Sequence, residues 1–186
     1  MWRVIGYAWT TFIVVWLLWA IRAKRTRSAE SFLGQLPYRL VTAFGAFLLI
    51  PNRSTIGWLA IPIFPWSPVL LDIGAALTVL GILFAFWARF HLGRNWSGNV
   101  TIKTNHELIR TGPYARIRHP IYTGILISLF GTGLATDVWR AALGFALLLA
   151  GFLLKARREE SVLSQEFGSR FADHQRATGM FLPRIP

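Results

Sequence analysis

Two polar clusters in this chain hold the residue types that chemistry needs. The first is His106–Tyr122, HELIRTGPYARIRHPIY, a polar run with two His, two Tyr, three Arg and two Pro between hydrophobic segments. The second is Lys155–Glu160, KARREE, at the end of another apolar run. Imidazole and carboxylate groups can move protons, and Arg and Lys can hold anions. Glu159 follows Lys155 by four residues, which places both on one helical face. A carboxylate there can accept hydrogen bonds from an ammonium or from ribose hydroxyls. Arg116, Arg118 and His119 stand just before Pro120, a residue well suited to the first turn of a helix. Cations at a helix N-terminus oppose its dipole. Either they reach lipid phosphates or, together with the helix end, they hold an anion such as a carboxylate.

Several other chemistries lack their residues. The chain has no cysteine, so disulfides, thiolate nucleophiles and Cys-based metal sites are excluded. His91, His106 and His119 have no metal-ligand spacing on a helix and no HExxH is present, so no metal is expected. There is also no G-x-S-x-G, no phosphate-cradling loop and no dinucleotide fingerprint.

The elements that must position the two clusters read as membrane spans. Of 186 residues, 54% are hydrophobic and only 15% charged, against about a quarter charged in a soluble domain. Spans are expected at about 4–21, 36–50, 69–90, 121–135 and 138–154. The first is followed by Arg22, Lys24, Arg25 and Arg27 and lacks a small-residue cleavage site, so it reads as an anchor. Ser28–Gln35 reads as a polar loop, and Pro51-Asn52-Arg53-Ser54 breaks span two, which is short for a hydrocarbon core needing about 20 residues. Ile56–Pro68, with Pro62, Pro65 and Pro68, reads as an outer interfacial loop. Val162, Leu163, Phe167 and Phe171 fall on a helical spacing in the polar C-terminal stretch. The expected fold is all-α: one membrane domain over 1–186, a bundle of about five transmembrane helices with a C-terminal cytoplasmic amphipathic helix and no Rossmann-like sheet.

Basic residues set the orientation. One set of loops carries Arg3, Arg53 and Arg140; the other carries the remaining 17 of the 20 Lys and Arg residues. The N-terminus is therefore expected outside, with the C-terminus and both clusters cytoplasmic. This topology accounts for the net charge of +12 without nucleic acid as a partner.

Only Thr136-Asp137 separates spans four and five, which forces an antiparallel hairpin. Helices of this length return to the level they left, so His119-Pro120 and Lys155–Glu160 are expected to be neighbours in one site built from 91–122 and 155–186. Gly124, Ser128 and Thr132 make a small-residue stripe on span four. Ala146 and Ala150 do something similar on span five, and such stripes allow close helix approach.

The run LGRNWS (Leu92–Ser97), then HELI, GPY and RHPIYTG, and finally EESVL, EFG and a terminal LPRIP resembles the isoprenylcysteine carboxyl methyltransferase family. These are integral membrane enzymes that use S-adenosylmethionine and are related to phospholipid N-methyltransferases. The resemblance covers Leu92 to Pro186, and RHPxY followed by EE is its specific part. It implies a cofactor site at the cytoplasmic helix ends, with His106, Glu107, Leu108, Ile109, Tyr114, His119, Pro120, Ile121, Tyr122 and Glu159 lining S-adenosylmethionine. Where the prenylcysteine enzymes place a substrate-binding Arg, four residues before the cofactor Glu, this chain has Lys155, with Arg157 and Arg158 nearby. Lys lacks the bidentate fork of Arg. The function expected is methyl transfer to a lipophilic or isoprenoid-type acceptor at the membrane surface, with Arg118, His119 and Glu160 as catalytic groups and His119 or Glu160 as base where the acceptor needs one. A phospholipid, amine or small-thiol acceptor, a nicotinamide-dependent membrane reductase, and a non-enzymatic lipid-binding protein are the alternatives.

Overall fold

The structure, a computed structural model, describes residues 1–21, 26–29, 31–50, 57–103 and 107–184, with the backbone alone at 26–29, 102 and 103. The helices are α1 (Trp2–Ala20), α2 (Phe32–Leu49), α3 (Pro68–Leu92), α4 (Pro120–Thr136), α5 (Trp139–Phe167) and α6 (Ser169–Ala177). Four of them, α1, α2, α3 and α5, are long and apolar enough to cross a membrane, and α4 is a shorter apolar helix. At 1.5 Å per residue the 17 residues of α4 rise about 26 Å, close to the ~30 Å of a hydrocarbon core. The protein is an integral membrane helical bundle, as the hydropathy pattern requires. Apart from isolated bridges, the strand pairing among the described residues is one antiparallel ribbon of β1 (Thr26–Ala29) and β2 (Thr101–Lys103).

Three boundaries differ from the expectation, each for a local reason. The stretch read as the loop Ser28–Gln35 contains β1 and the start of α2. Ser31 caps α2 by accepting a hydrogen bond from the Gly34 N–H at 3.2 Å, so the helix begins before the apolar run does. The expected break at Pro51–Ser54 lies outside the described residues. At the other end of the chain, α5 does not stop at Leu154 but continues unbroken to Phe167. Its span covers 139–154, and 155–167 project beyond it as a polar extension. Gly168, at φ +53°, ends that extension where an L side chain would be strained. Phe171 therefore belongs to α6 and not to the helix of Val162 and Leu163.

Packing runs in the order α1, α3, α4, α5, α2. The hairpin of α4 and α5 exists, with Asp137 at φ 49° in its turn, but the close contacts of α4 are with α3. A Cβ added to Gly124 would meet the Ala85 N at 2.6 Å, and one added to Gly81 would meet the Ser128 Oγ at 2.4 Å. Thr78 and Thr132 sit in the same seam, their hydroxyls 3.2 Å apart. The small-residue stripe of span four thus serves span three. On α5 the close-packing residues are Gly144 and Gly151, which meet Gly45 and Thr42 of α2. Ala146 and Ala150, expected to play that part, are exposed. Both seams follow the rule that membrane helices approach where side chains are smallest.

At the end of the bundle away from the polar clusters, Arg140 is buried. Its Nη1 donates to the Leu48 and Ile50 carbonyls, at 2.5 Å each, which satisfies orphan carbonyls at the end of α2. The segment read as an interfacial loop is tied to the same turn: Ile63 N–H donates to the Asp137 carbonyl at 3.3 Å and Phe64 N–H to Asp137 Oδ1 at 3.2 Å.

Candidate functional site

At the opposite end, the start of α4 and the extension of α5 meet through side chains. Arg118 Nε donates to Glu160 Oε1 at 2.6 Å. His119 stands between two carboxylates, with Nε2 3.2 Å from Glu160 Oε1 and Nδ1 3.4 Å from Glu159 Oε2. Tyr122 donates its hydroxyl to Glu159 Oε1 at 2.5 Å. Only the imidazolium form can donate from both ring nitrogens. Burial opposes that charge, but the hydrogen bonds and charges of Glu159 and Glu160 outweigh it and hold the His119 pKa above its ordinary value. In turn burial pushes the two carboxylates up, and their partners more than reverse it. Glu160 is lowered to about 2 by His119 and Arg118; Glu159 is lowered by His119, Lys155 and Tyr122.

The C-terminal segment is stitched onto this network. Arg118 Nη1 donates to the carbonyls of Gln175, at 3.3 Å, and Thr178. Gln175 Nε2 donates to Glu160 Oε2 at 3.1 Å. Backbone bonds join Arg118 N–H to the Gly179 carbonyl at 2.8 Å and His119 N–H to the Met180 carbonyl at 3.0 Å. The polar tail thus folds back as a wall of the site.

A cleft opens between these walls. Its lining includes Leu108, Ile109, Tyr114, Arg118, His119, Ile121, Tyr122 and Glu159. Tyr114 is held by a short 3₁₀ turn, Gly112–Ala115. Gly112 has φ +56°, and a Cβ there would lie 2.7 Å from the His91 ring, so only glycine lets the turn pack on α3. Burial pushes the Tyr114 hydroxyl pKa up, so it stays protonated. Two buried hydroxyls of the lining, Tyr114 and Thr101, find no hydrogen-bond partner among the described residues. Buried polar groups are rarely left unpaired, so the cleft holds polar atoms available to a ligand.

The remaining expected residues fall elsewhere. Pro120 is buried beneath the cleft and Glu160 lies behind His119, neither in the lining. Glu107 is exposed, and His106 lies outside the described residues. Lys155 rims the site, its Nζ donating to the Gly98 carbonyl at 2.8 Å and lying 5.3 Å from the Tyr122 ring centroid. Arg157 and Arg158 are exposed, outside the lining.

Sequence reasoning assigned nothing in 93–105 to the cofactor, yet Asn95, Trp96, Ser97, Asn99, Val100 and Thr101 line the cleft. The LGRNWS run was the available signal. Trp96 is held by Arg89, whose guanidinium lies 4.3 Å from its ring centroid and donates to the carbonyls of Gly93 at 2.7 Å and Trp19 at 3.1 Å. Val162, Leu163, Phe171 and His174 complete the lining from α5 and α6; that the tail folds back over the helix ends has no local signature.

Residues 74–165 match the model of the isoprenylcysteine carboxyl methyltransferase family. Among curated proteins, the chain is 34% identical over 118 residues to the nickel-cobalt-cadmium resistance protein NccN of Alcaligenes xylosoxydans xylosoxydans, covering 61% of this chain and 53% of that one. It is 31% identical over 102 residues to the protein-S-isoprenylcysteine O-methyltransferase of Schizosaccharomyces pombe, covering 53% and 43%. Among solved structures, the eukaryotic intramembrane Ras methyltransferase ICMT superposes with a TM-score of 0.52 at 25% identity, covering 82% of this chain and 52% of that one. The chain thus spans about half the length of the relatives it matches. The RHPIY and EE motifs are joined in one network, and the helices that carry them, within residues 74–165, match the isoprenylcysteine carboxyl methyltransferase family.

Proposed function

We propose that this chain is an S-adenosylmethionine-dependent methyltransferase acting on a lipophilic acceptor at the cytoplasmic surface of the membrane, with its 186 residues working as one membrane domain. The observation that supports it most is the cleft itself. Glu159 lies in its wall, fixed by Tyr122 at 2.5 Å and His119 at 3.4 Å, in the same lining as the unpartnered hydroxyls of Tyr114 and Thr101.

That donor set fits the cofactor. Glu159, held ionised, accepts from an ammonium or a ribose hydroxyl. Tyr114 and Thr101 can donate to a carboxylate or to ring nitrogens. Trp96, Leu108, Ile109 and Ile121 give apolar surface and keep water out. Bound there, the cofactor supplies a methyl group activated on a sulfonium; the protein's part is positioning and desolvation. Arg118, His119 and Glu160, expected as catalytic groups, act in this reading by holding Glu159 and α6 in place. His119 faces a carboxylate from each ring nitrogen and is therefore not a base. Lys155 rims the mouth where an acceptor arrives from the bilayer, with Arg157 and Arg158 exposed on the same helix toward the headgroup layer.

Calorimetric titration of the full chain in detergent with S-adenosylhomocysteine tests the reading. Wild type is expected to bind, and Glu159→Gln to weaken binding by about 10- to 100-fold, the range of a charge-assisted hydrogen bond. Absence of binding by the wild type overturns it.

A further inference from the structure

His174 stands beside this network and takes no part in it. It lies on α6, 96% buried (relative exposure 4%), and it belongs to the lining of the cleft. Its neighbours in the network are committed: Gln175 to Glu160, Arg118 to Glu160 and two carbonyls, His119 to both carboxylates. The His174 ring has a tilted contact with Phe171 at 6.4 Å between centroids and, among the described residues, no hydrogen bond or ion pair. A buried residue whose imidazole borders a cavity is positioned to exchange a proton with whatever occupies that cavity.

The surroundings keep it uncharged. Burial comes first, and the cations Arg110, Arg118 and His119 add to it, with Glu160 opposing; together they hold its pKa below the ordinary value. At neutral pH it is an acceptor of protons.

The cations of the cleft point the same way. Arg118 is engaged with Glu160 and two carbonyls, and Lys155 at the rim with the Gly98 carbonyl and the Tyr122 face. Both are thus already tied to groups of the protein. An acceptor with a dissociable proton needs a base instead, and the cleft holds one.

We propose that His174 is the general base of methyl transfer and that the acceptor is a lipophilic molecule whose nucleophilic atom carries a proton, an amine or a thiol, and not a carboxylate. This rests on the methyltransferase reading above. In the step, the acceptor's X–H proton passes to a ring nitrogen of His174 as the X–C bond forms. The C–S bond of the sulfonium breaks and its electron pair stays on sulfur, leaving the thioether, and His174 releases the proton to solvent.

The test uses the full chain in detergent micelles with methyl-labelled S-adenosylmethionine and three acceptors: dodecanethiol, dodecylamine and N-acetyl-S-farnesylcysteine, which offers a carboxylate. S-adenosylhomocysteine affinity is measured alongside. The wild type is expected to methylate the thiol or the amine in preference to the carboxylate. His174→Gln is expected to lower that transfer about 100-fold or more, the lower range for a general base, with S-adenosylhomocysteine affinity changed less than about threefold. Preferred formation of the carboxyl ester, transfer to neither thiol nor amine, or undiminished transfer by His174→Gln overturns the proposal while ligand binding still supports the reading beneath it. The wild-type preference decides the matter even where the variant does not fold. Failure of the wild type to bind S-adenosylhomocysteine overturns both.

Discussion

Glu160 has three polar contacts and no place in the cleft. It receives Arg118 at 2.6 Å, His119 at 3.2 Å and Gln175 at 3.1 Å, the last on its other oxygen, with Tyr122 and Glu159 one link further on. Its role is to convert three separate segments into one rigid wall. Because its folded pKa is depressed, its contribution to stability is present above the ordinary value near 4.5 and is lost as pH falls toward about 2. The folded pKa of His119 is raised, so its contribution is complete below about 6.5 and is lost as pH climbs through the raised value. Thermal unfolding followed by tryptophan fluorescence should therefore show a stability maximum between these limbs. Glu160→Ala takes from Arg118 its carboxylate and from His119 one of its two, and should cost about 3–5 kcal/mol, as other broken buried pairs do. Unfolding midpoints of wild type and variant across pH 2–9 check this; an acid limb unchanged in the variant rules out Glu160 as its source.

At the scale of elements, the position of His119 and Tyr122 depends on how α4 sits against α3. That contact is backbone on backbone. A Cβ at Gly124 meets Ala85 N at 2.6 Å and Gly81 O at 2.7 Å, atoms that cannot rotate away. Gly124→Ala should separate the helices and cost about 1–3 kcal/mol. Gly6, on α1, has nothing within 4 Å of an added Cβ, so Gly6→Ala should be neutral or stabilise by up to about 1 kcal/mol. Unfolding midpoints of the two variants, measured side by side, check the pair. Equal effects would mean that the α3–α4 seam does not carry the packing assigned to it. Length alone suggested the hairpin of α4 and α5, and it is real. What the hairpin did not reveal is that each of its helices takes a different close neighbour, α3 for α4 and α2 for α5. Small residues on a helix announce a close approach but not the partner.

For the whole molecule, the charge asymmetry is the strongest statement about orientation. The side that carries the cleft also carries Arg110, Arg116, Arg118, Lys155, Arg157, Arg158, Arg170, Arg176 and Arg184, and the far side carries Arg3 and Arg140. The absence of cysteine makes the orientation simple to measure. Single substitutions at Trp66, 84% exposed, and at Asp173, exposed on α6, should label from opposite sides of intact cells. An impermeant maleimide is expected to reach position 66 from outside and position 173 only after permeabilisation. The reverse pattern inverts the topology.

Composition and hydropathy by themselves determined an all-α membrane bundle, because a hydrocarbon core leaves long apolar helices little alternative. Local spacing and the length of the α4–α5 turn also determined that RHPIY and KARREE share one end, since two helices of similar rise joined by two residues must return to one level. The individual pairings did not follow from the sequence. That Glu159 faces the cleft while Glu160 turns behind it depends on a helix continuing past the membrane to Gly168. That Trp96, Thr101 and His174 join the lining depends on loop and tail folding back over the helix ends. Those contacts link residues 40 to 80 positions apart, and no local propensity encodes them. That the two clusters meet was legible; the placing of His174 in the same cleft became visible only when the chain was closed around it.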